Sequence, residues 1–148
     1  MKNNKNAKAQ KKGLPTWLLA IIVLAVISVL GIGALQISNL GAGQYPSEVS
    51  VTQASDLRTQ GAFILDVRQP EEWTQFHIPG ATLIPLGDLP NRLKEVPKDK
   101  EIVVVCRTGH RSAQGRDILK TAGFTKVTSM AGGLTQWQTA GLPTVTGQ

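Results

Sequence analysis

The stretch 106–112, which reads Cys-Arg-Thr-Gly-His-Arg-Ser, contains the single cysteine of the chain and organises the residues around it. It follows the β-branched run 102–105, which is typical of a strand buried on both faces of a parallel sheet. After it, small and apolar residues recur at helical spacing over 113–122, and Gly123 is typical of a helix end. The pattern therefore places Cys106 between the carboxyl end of a strand and the amino end of a helix.

That position favours a reactive cysteine. Unpaired N–H groups at a helix start attract negative charge, and a turn containing glycine directs successive N–H groups toward one point. Arg107 and Arg111 add fixed positive charge nearby. These effects favour the thiolate of Cys106, which is the nucleophilic form. The alternative is an inert cysteine at the end of a core strand, and the polar, cationic residues that follow argue against it.

The charge of the chain is concentrated at its amino terminus. The 148 residues carry a net charge of +6, but five of the 16 basic residues are lysines within residues 1–12. The remaining basic residues nearly balance the 10 acidic ones, so the high net charge does not indicate a nucleic-acid partner. One cysteine excludes an intramolecular disulfide and a cysteine-based structural zinc site, and we expect no metal.

The amino-terminal third has the pattern of a membrane anchor. Residues 1–12 contain few apolar side chains and are predicted to be a disordered basic tail. Residues 15–37 are almost wholly apolar and are long enough to form one transmembrane helix, since about 20 residues cross a bilayer. Residues 38–47 are predicted to be a flexible tether, and a folded domain is expected over 48–144.

The lysines before the apolar segment also predict an orientation. By the positive-inside rule, the amino terminus stays in the cytoplasm and the domain lies outside, attached to the cell membrane by a single pass. A cleaved signal peptide is the alternative, although its apolar core is usually only about 7–15 residues long. The small residues 41–43 leave such processing open, and both interpretations export the domain.

Strand and helix patterns alternate along the domain. Thr52 is a plausible N-cap for the first helix and Pro70 an early residue of the second. Five strands are predicted, over 49–51, 62–65, 82–84, 102–105 and 126–128. Helices are predicted over 52–60, from 70, and over 86–93, 113–122 and 134–139. Such alternation predicts an α/β domain with a mainly parallel sheet covered on both faces, and ligands then bind beyond the carboxyl ends of the strands.

Three motifs resemble those of the rhodanese family, whose fold is that of thiosulfate and related sulfurtransferases. They lie at 65–73 with 77–81, at 106–112, and at 131–137 with 140–143. Their order and spacing cover nearly all of the expected domain, about residues 48–144. The resemblance implies a rhodanese-like three-layer domain with a central, mainly parallel five-stranded sheet.

The resemblance also implies an activity. Cys106 would take sulfane sulfur from a small anionic donor such as thiosulfate and become a persulfide. A thiophilic acceptor, cyanide or a thiol, would then remove that sulfur. No metal or organic cofactor is implied. The alternative is a membrane-tethered sulfur carrier or interaction module with little turnover of its own.

Site residues follow from the same motifs. The resemblance implies that Cys106 is the catalytic residue and that six neighbours form the substrate-binding loop: Arg107, Thr108, Gly109, His110, Arg111 and Ser112. Asp66 is expected to support the loop by accepting N–H bonds or by pairing with a loop arginine. Arg68 either borders the pocket or forms a surface ion pair with Glu71 or Glu72.

Other residues of the motifs have different expectations. Both tryptophans of the motifs, Trp73 and Trp137, are expected to pack, and His77 is expected to be structural. His110 either tunes the donor preference and the basicity of Cys106 or is simply exposed to solvent. The position before His77 is often glycine in the family, whereas this chain has Phe76.

The length of the cysteine loop separates this chain from a related fold. Cysteine phosphatases and arsenate reductases of that fold place five residues between the cysteine and the arginine. Only four lie between Cys106 and Arg111. The shorter loop suits a single sulfur atom better than a tetrahedral oxyanion.

Overall fold

A parallel sheet organises residues 45–147, which are the residues that the computed structural model describes. Its strands are β1 (Glu48–Val49), β2 (Phe63–Asp66), β3 (Thr82–Leu83), β4 (Ile102–Val105) and β5 (Val127–Met130). Their order across the sheet is β1-β5-β4-β2-β3, and every pairing is parallel. The predicted five-stranded sheet is confirmed.

Helices cover both faces of the sheet. They are α1 (Val51–Thr59), α2 (Pro70–Gln75), α3 (His110–Thr121) and α4 (Gly133–Thr139), and two short 3-10 turns span Leu89–Asn91 and Leu93–Glu95. Alternate residues of β4 point to opposite faces, because successive side chains of a strand alternate. One face packs with α3 and the 3-10 turns, and the other packs with α1 and α4. The predicted three-layer α/β architecture is therefore confirmed.

Two predicted element boundaries near the amino terminus of the domain were wrong. The sequence pattern predicts Val51 in the first strand and Thr52 as the helix cap. Instead Ser50 caps α1, because its hydroxyl accepts from the Gln53 N–H at 3.2 Å and the Gln53 side chain accepts from the Ser50 N–H at 2.9 Å. This reciprocal capping box begins the helix at Val51 and ends the strand at Val49.

The helix predicted over 86–93 is replaced by the two 3-10 turns. Pro90 lies inside that segment, where it lacks the N–H that an α-helical bond to Leu86 would need. The helix predicted over 113–122 begins three residues earlier, at His110. His110, Arg111 and Ser112 therefore belong to the first turn of α3, and the connection from β4 is shorter than expected.

Two features bring the site together at one edge. Leu65 pairs with Val104 and Asp66 with Val105, so β2 and β4 end side by side. Gly115 lets α3 approach the sheet closely, because a Cβ there would lie 3.1 Å from the Val104 side chain. The carboxyl ends of the central strands and the start of α3 therefore meet.

The predicted tail at 1–12, the predicted transmembrane helix at 15–37 and most of the predicted tether at 38–47 lie outside the described residues. Within residues 45–147, none of the helices has the length and apolar character needed to cross a bilayer.

Candidate active site

Cys106 lies directly after β4, and its side chain is only 1% exposed. The Gly109 N–H donates a hydrogen bond to the cysteine Sγ at 3.1 Å. The Sγ also lies 3.7 Å from the Ser112 Oγ, and that hydroxyl donates to the Gly109 carbonyl oxygen at 2.7 Å. One backbone N–H and one hydroxyl group of this turn therefore lie against the sulfur.

The turn depends on the backbone of Gly109. This residue is the N-cap of α3 and has φ +105°, in the left-handed region that favours glycine. This conformation points the Gly109 N–H back at the cysteine sulfur while the chain enters the helix. Arg107, Thr108 and His110 surround the turn and are exposed.

The start of α4 holds the two residues at the beginning of this loop. The Leu134 N–H donates to the Cys106 carbonyl at 2.8 Å, and both the N–H and the hydroxyl of Thr135 donate to the Arg107 carbonyl at 3.0 Å. Gly133 must be glycine, because a Cβ there would overlap both of these peptide units. These residues belong to the third of the family motifs, for which no role in the site was predicted. The glycine pair 132–133, a few residues after the predicted strand 126–128, was the available signal.

Asp66 and Arg68 pair with each other, which corrects the expected pairing of Asp66 with a loop arginine and the expected surface ion pair of Arg68. The Arg68 guanidinium donates to both carboxylate oxygens of Asp66 at 2.7–3.0 Å, and the Arg68 N–H also donates to Asp66 at 3.0 Å. Their side chains are 0% and 1% exposed. Asp66 therefore bonds no loop arginine, and Arg68 forms no surface ion pair. Burial explains the pairing, since an unpaired buried charge is costly.

The rest of the Arg68 guanidinium fixes the α2 segment. It donates to the Phe76 carbonyl at 2.7 Å and to the Glu72 carbonyl at 3.2 Å. It also lies 5.2 Å from the centre of the Phe76 ring, in the geometry of a cation–π contact. Phe76 has φ −170°, an extended backbone that needs no glycine. The departure from the family pattern is therefore accommodated.

Arg111 forms an ion pair that the sequence analysis did not predict. Its guanidinium donates to both carboxylate oxygens of Glu72, at 2.7 and 2.8 Å. The hydrogen bond from Arg111 is the main reason why the pKa of Glu72 is lowered to about 2, and the same bond raises the pKa of Arg111. Arg107, in contrast, forms no ion pair with any residue in the described part of the chain. Of the two loop arginines, Arg107 is thus the one left to meet an anion.

A small cavity of about 30 Å³ lies beside the loop. Its lining consists of charged, polar and aromatic residues from α2 and the loop: Arg68, Glu72, Gln75, Phe76 and Arg107. A volume of this size holds about two water-sized groups. The cavity therefore suits the end of a small molecule rather than a large ligand.

Two aromatic residues and a histidine have the structural roles expected of them. His77 is buried, stacks on Trp73 with ring centres 3.6 Å apart, and shares a 3.1 Å hydrogen bond with the Trp73 carbonyl. Trp137 is fully buried in the core. Over residues 45–147, no group of three or more His, Cys, Asp or Glu side chains is placed to bind a metal ion.

Comparison with known proteins agrees with this geometry. A sulfurtransferase of Allochromatium vinosum is 38% identical over 87 residues, which cover 59% of this chain and 81% of that protein. Thiosulfate sulfurtransferase 16 of Arabidopsis thaliana is 40% identical over 111 residues, which cover 67% of this chain and 92% of that protein.

A solved structure has the same fold. The crystal structure of a rhodanese-related protein from Thermoplasma volcanium superposes with a TM-score of 0.62 at 28% identity, over 66% of this chain and 96% of that one. The family model described as a rhodanese-like domain matches residues 50–140. That match includes the cysteine loop, the Asp66–Arg68 pair and the glycine turn before α4. The chain therefore belongs to the rhodanese-like domain family.

Proposed function

We propose that the protein is a sulfurtransferase that moves sulfane sulfur through a persulfide on Cys106. The observation that carries this proposal is the hydrogen bond of 3.1 Å from the Gly109 N–H to the Cys106 sulfur. A donor fixed there by the backbone stabilises negative charge on sulfur without reorganising during the reaction. A buried inert cysteine would not require such a turn.

The first half-reaction loads the cysteine. The Cys106 thiolate attacks the outer sulfur of a donor such as thiosulfate, and the sulfur–sulfur bond of the donor breaks. The bonding electron pair leaves with sulfite, and Cys106 becomes a persulfide. Arg107 attracts the anionic donor, and the Ser112 hydroxyl lies close enough to reorient toward the charged sulfur.

The second half-reaction unloads it. A cyanide ion or a thiolate attacks the outer sulfur of the persulfide, and the Cys106 thiolate leaves. The Gly109 N–H stabilises the cysteine sulfur in both half-reactions. Arg68, held by Asp66, fixes the α2 segment, and α2 in turn supports the loop through the Glu72–Arg111 pair. The chemistry uses only these side chains and the backbone, so the proposal includes no metal or organic cofactor and no nucleic acid.

A second candidate is a sulfur carrier with little turnover of its own. A putative sulfur carrier protein of Bacillus subtilis supports it, because that protein is 40% identical over 74 residues, which cover 50% of this chain and 40% of that protein. Mixing purified protein with thiosulfate and cyanide separates the two candidates. Catalytic thiocyanate formation supports the enzyme, whereas a Cys106 persulfide formed only by another donor supports the carrier.

We also propose that residues 15–37 anchor the domain in the cell membrane as a single-pass helix, with the amino terminus in the cytoplasm and the domain outside. The support is the apolar run and the lysines that precede it. Protease treatment of intact cells, followed by amino-terminal sequencing of the membrane fraction, tests this. A protected domain would contradict the orientation, and a new amino terminus near residue 43 would indicate a cleaved signal peptide.

A further inference from the structure

The carboxylate of Glu72 changes the net charge that an incoming sulfur donor meets at the loop. Glu72 lines the small cavity beside the loop, and its carboxylate binds both terminal nitrogens of Arg111. Glu72 is also fixed by its own helix, since it accepts from the Gln69 N–H at 3.2 Å. Its pKa of about 2 keeps it ionised at neutral pH. The Arg111 charge is therefore neutralised by a carboxylate that stays in place.

The charges of the site then nearly cancel. Asp66 neutralises Arg68, and Glu72 neutralises Arg111. Arg107 remains, and its single positive charge matches the single negative charge of an ionised Cys106. A site without net charge gives little compensation for removing water from an anion. Because this desolvation cost rises steeply with charge, a doubly charged donor loses more than a singly charged one.

The lining of the cavity is mixed rather than wholly cationic. Phe76 and Gln75 line the same cavity as Arg107. Such a lining accommodates a small organic group beside a single negative charge. An inorganic dianion such as thiosulfate has no apolar group that could contact the aromatic residue.

We propose that Glu72 is a specificity-determining residue, and that it favours sulfur donors with one negative charge, organic thiosulfonates and alkyl persulfides, over dianionic thiosulfate. This inference rests on the proposed sulfurtransferase function and refines its donor class. With a thiosulfonate, the Cys106 thiolate attacks the terminal sulfur and the bond to the sulfonyl sulfur breaks. The electron pair leaves as a sulfinate, so the cysteine is oxidised to the persulfide and the sulfonyl group is reduced without any further reactant.

The test compares two donors on three proteins. The donors are thiosulfate and methanethiosulfonate, and the proteins are the unmodified chain, Glu72→Gln and the control Glu71→Gln. Glu71 is exposed on the same helical turn, and its carboxylate forms no ion pair with the described residues. The readout is the single-turnover rate of persulfide formation on Cys106, followed by intact mass at low and high ionic strength.

The unmodified protein should react faster with methanethiosulfonate. Removing one negative charge beside the loop should raise the thiosulfate rate in Glu72→Gln about fivefold and the methanethiosulfonate rate only about twofold, because the Coulomb energy scales with donor charge. The gain for thiosulfate should shrink as salt is added. Glu71→Gln should leave the ratio of the two rates unchanged.

Three outcomes would overturn the inference while leaving the function intact: a preference of the unmodified protein for thiosulfate, an unchanged ratio in Glu72→Gln, or an equal shift in both variants. Equal slowing of both donors in Glu72→Gln would also count against it, since that result indicates a purely structural role. If neither donor adds sulfur to Cys106 of the unmodified protein, the proposed function itself fails.

Discussion

The backbone N–H of Gly109 donates to the Sγ of Cys106 across 3.1 Å, and Gly109 can do so because it adopts φ +105°. Three separate elements set the positions of these two groups. β4 delivers the cysteine, α3 begins immediately after the glycine, and α4 holds the intervening carbonyl groups. Backbone groups thus make most of the contacts that position the Cys106 sulfur.

Gly109→Ala should slow persulfide formation on Cys106 more than tenfold. A Cβ strains the left-handed backbone by about 1–2 kcal/mol, and relief of that strain turns the N–H away from the sulfur. Gly123→Ala is the matched control, because Gly123 has φ +88° and open space around its Cβ position, far along the chain from the loop. Both variants should lose similar stability in urea titrations. Equal activity in the two would show that the Gly109 N–H is not required.

Thr135→Val should lower the rate of sulfur loading about threefold to tenfold. The change removes the hydroxyl bond to the Arg107 carbonyl, worth about 1 kcal/mol, and keeps the backbone bond. Thr135→Ser should restore the rate, since serine keeps the hydroxyl. Thr139→Val removes an equivalent hydroxyl bond within α4 and should leave the loading rate unchanged. Failure of serine to rescue would exclude this positioning role.

Much of the fold follows from local sequence patterns. The apolar runs before Asp66 and Cys106 predicted β2 and β4 correctly, because fully buried parallel strands read as continuous apolar segments. The three family motifs then placed the loop and the sheet together. These predictions depend on periodicity and composition over a few residues, which a single sequence contains.

The contacts within the site were less predictable. Arg111 meets Glu72 across 39 residues of chain, and only the packing of α2 beside α3 decides that pairing. Asp66 was expected to reach the loop, but Arg68 is two residues away and equally buried, and Asp66 pairs with it instead. The hydrogen bonds from Thr135 to the Arg107 carbonyl depend on the position of α4 in the folded domain. Tertiary distances of this kind are not encoded in local periodicity.

The Glu72–Arg111 pair should stabilise the fold in a pH-dependent way. The folded-state pKa of Glu72 is about 2, below its ordinary value of 4.5. The contribution of the Glu72–Arg111 pair to the free energy of unfolding is therefore fully present above about pH 4.5 and is lost as the pH falls toward 2. Because the pair is partly exposed to solvent, we expect about 1 kcal/mol.

Urea titrations between pH 2 and pH 6 measure this pH-dependent contribution. The free energy of unfolding of Glu72→Gln is subtracted from that of the unmodified protein at each pH. The difference should be largest near pH 6 and shrink toward pH 2. Glu71→Gln provides the reference for a carboxylate outside an ion pair. A difference that stays constant with pH would show that Glu72 does not contribute through its charge.

Thr128→Val should stabilise the protein by about 1 kcal/mol. The Thr128 hydroxyl is fully buried in β5 and has no hydrogen-bond partner within residues 45–147. Valine has nearly the same shape and removes the unsatisfied oxygen. Differential scanning calorimetry should show a higher Tm with unchanged sulfur transfer. A lower Tm would indicate that the hydroxyl is satisfied in solution.

Intact-mass analysis of Cys106 tests the central claim most directly. After incubation with a sulfur donor and removal of the excess, the protein should gain the mass of one sulfur atom, and peptide mapping should place that atom on Cys106. Cyanide should remove it and yield thiocyanate. Cys106→Ser should fold normally and gain no sulfur; sulfur transfer by that variant, or sulfur bound at any other residue, would contradict the account.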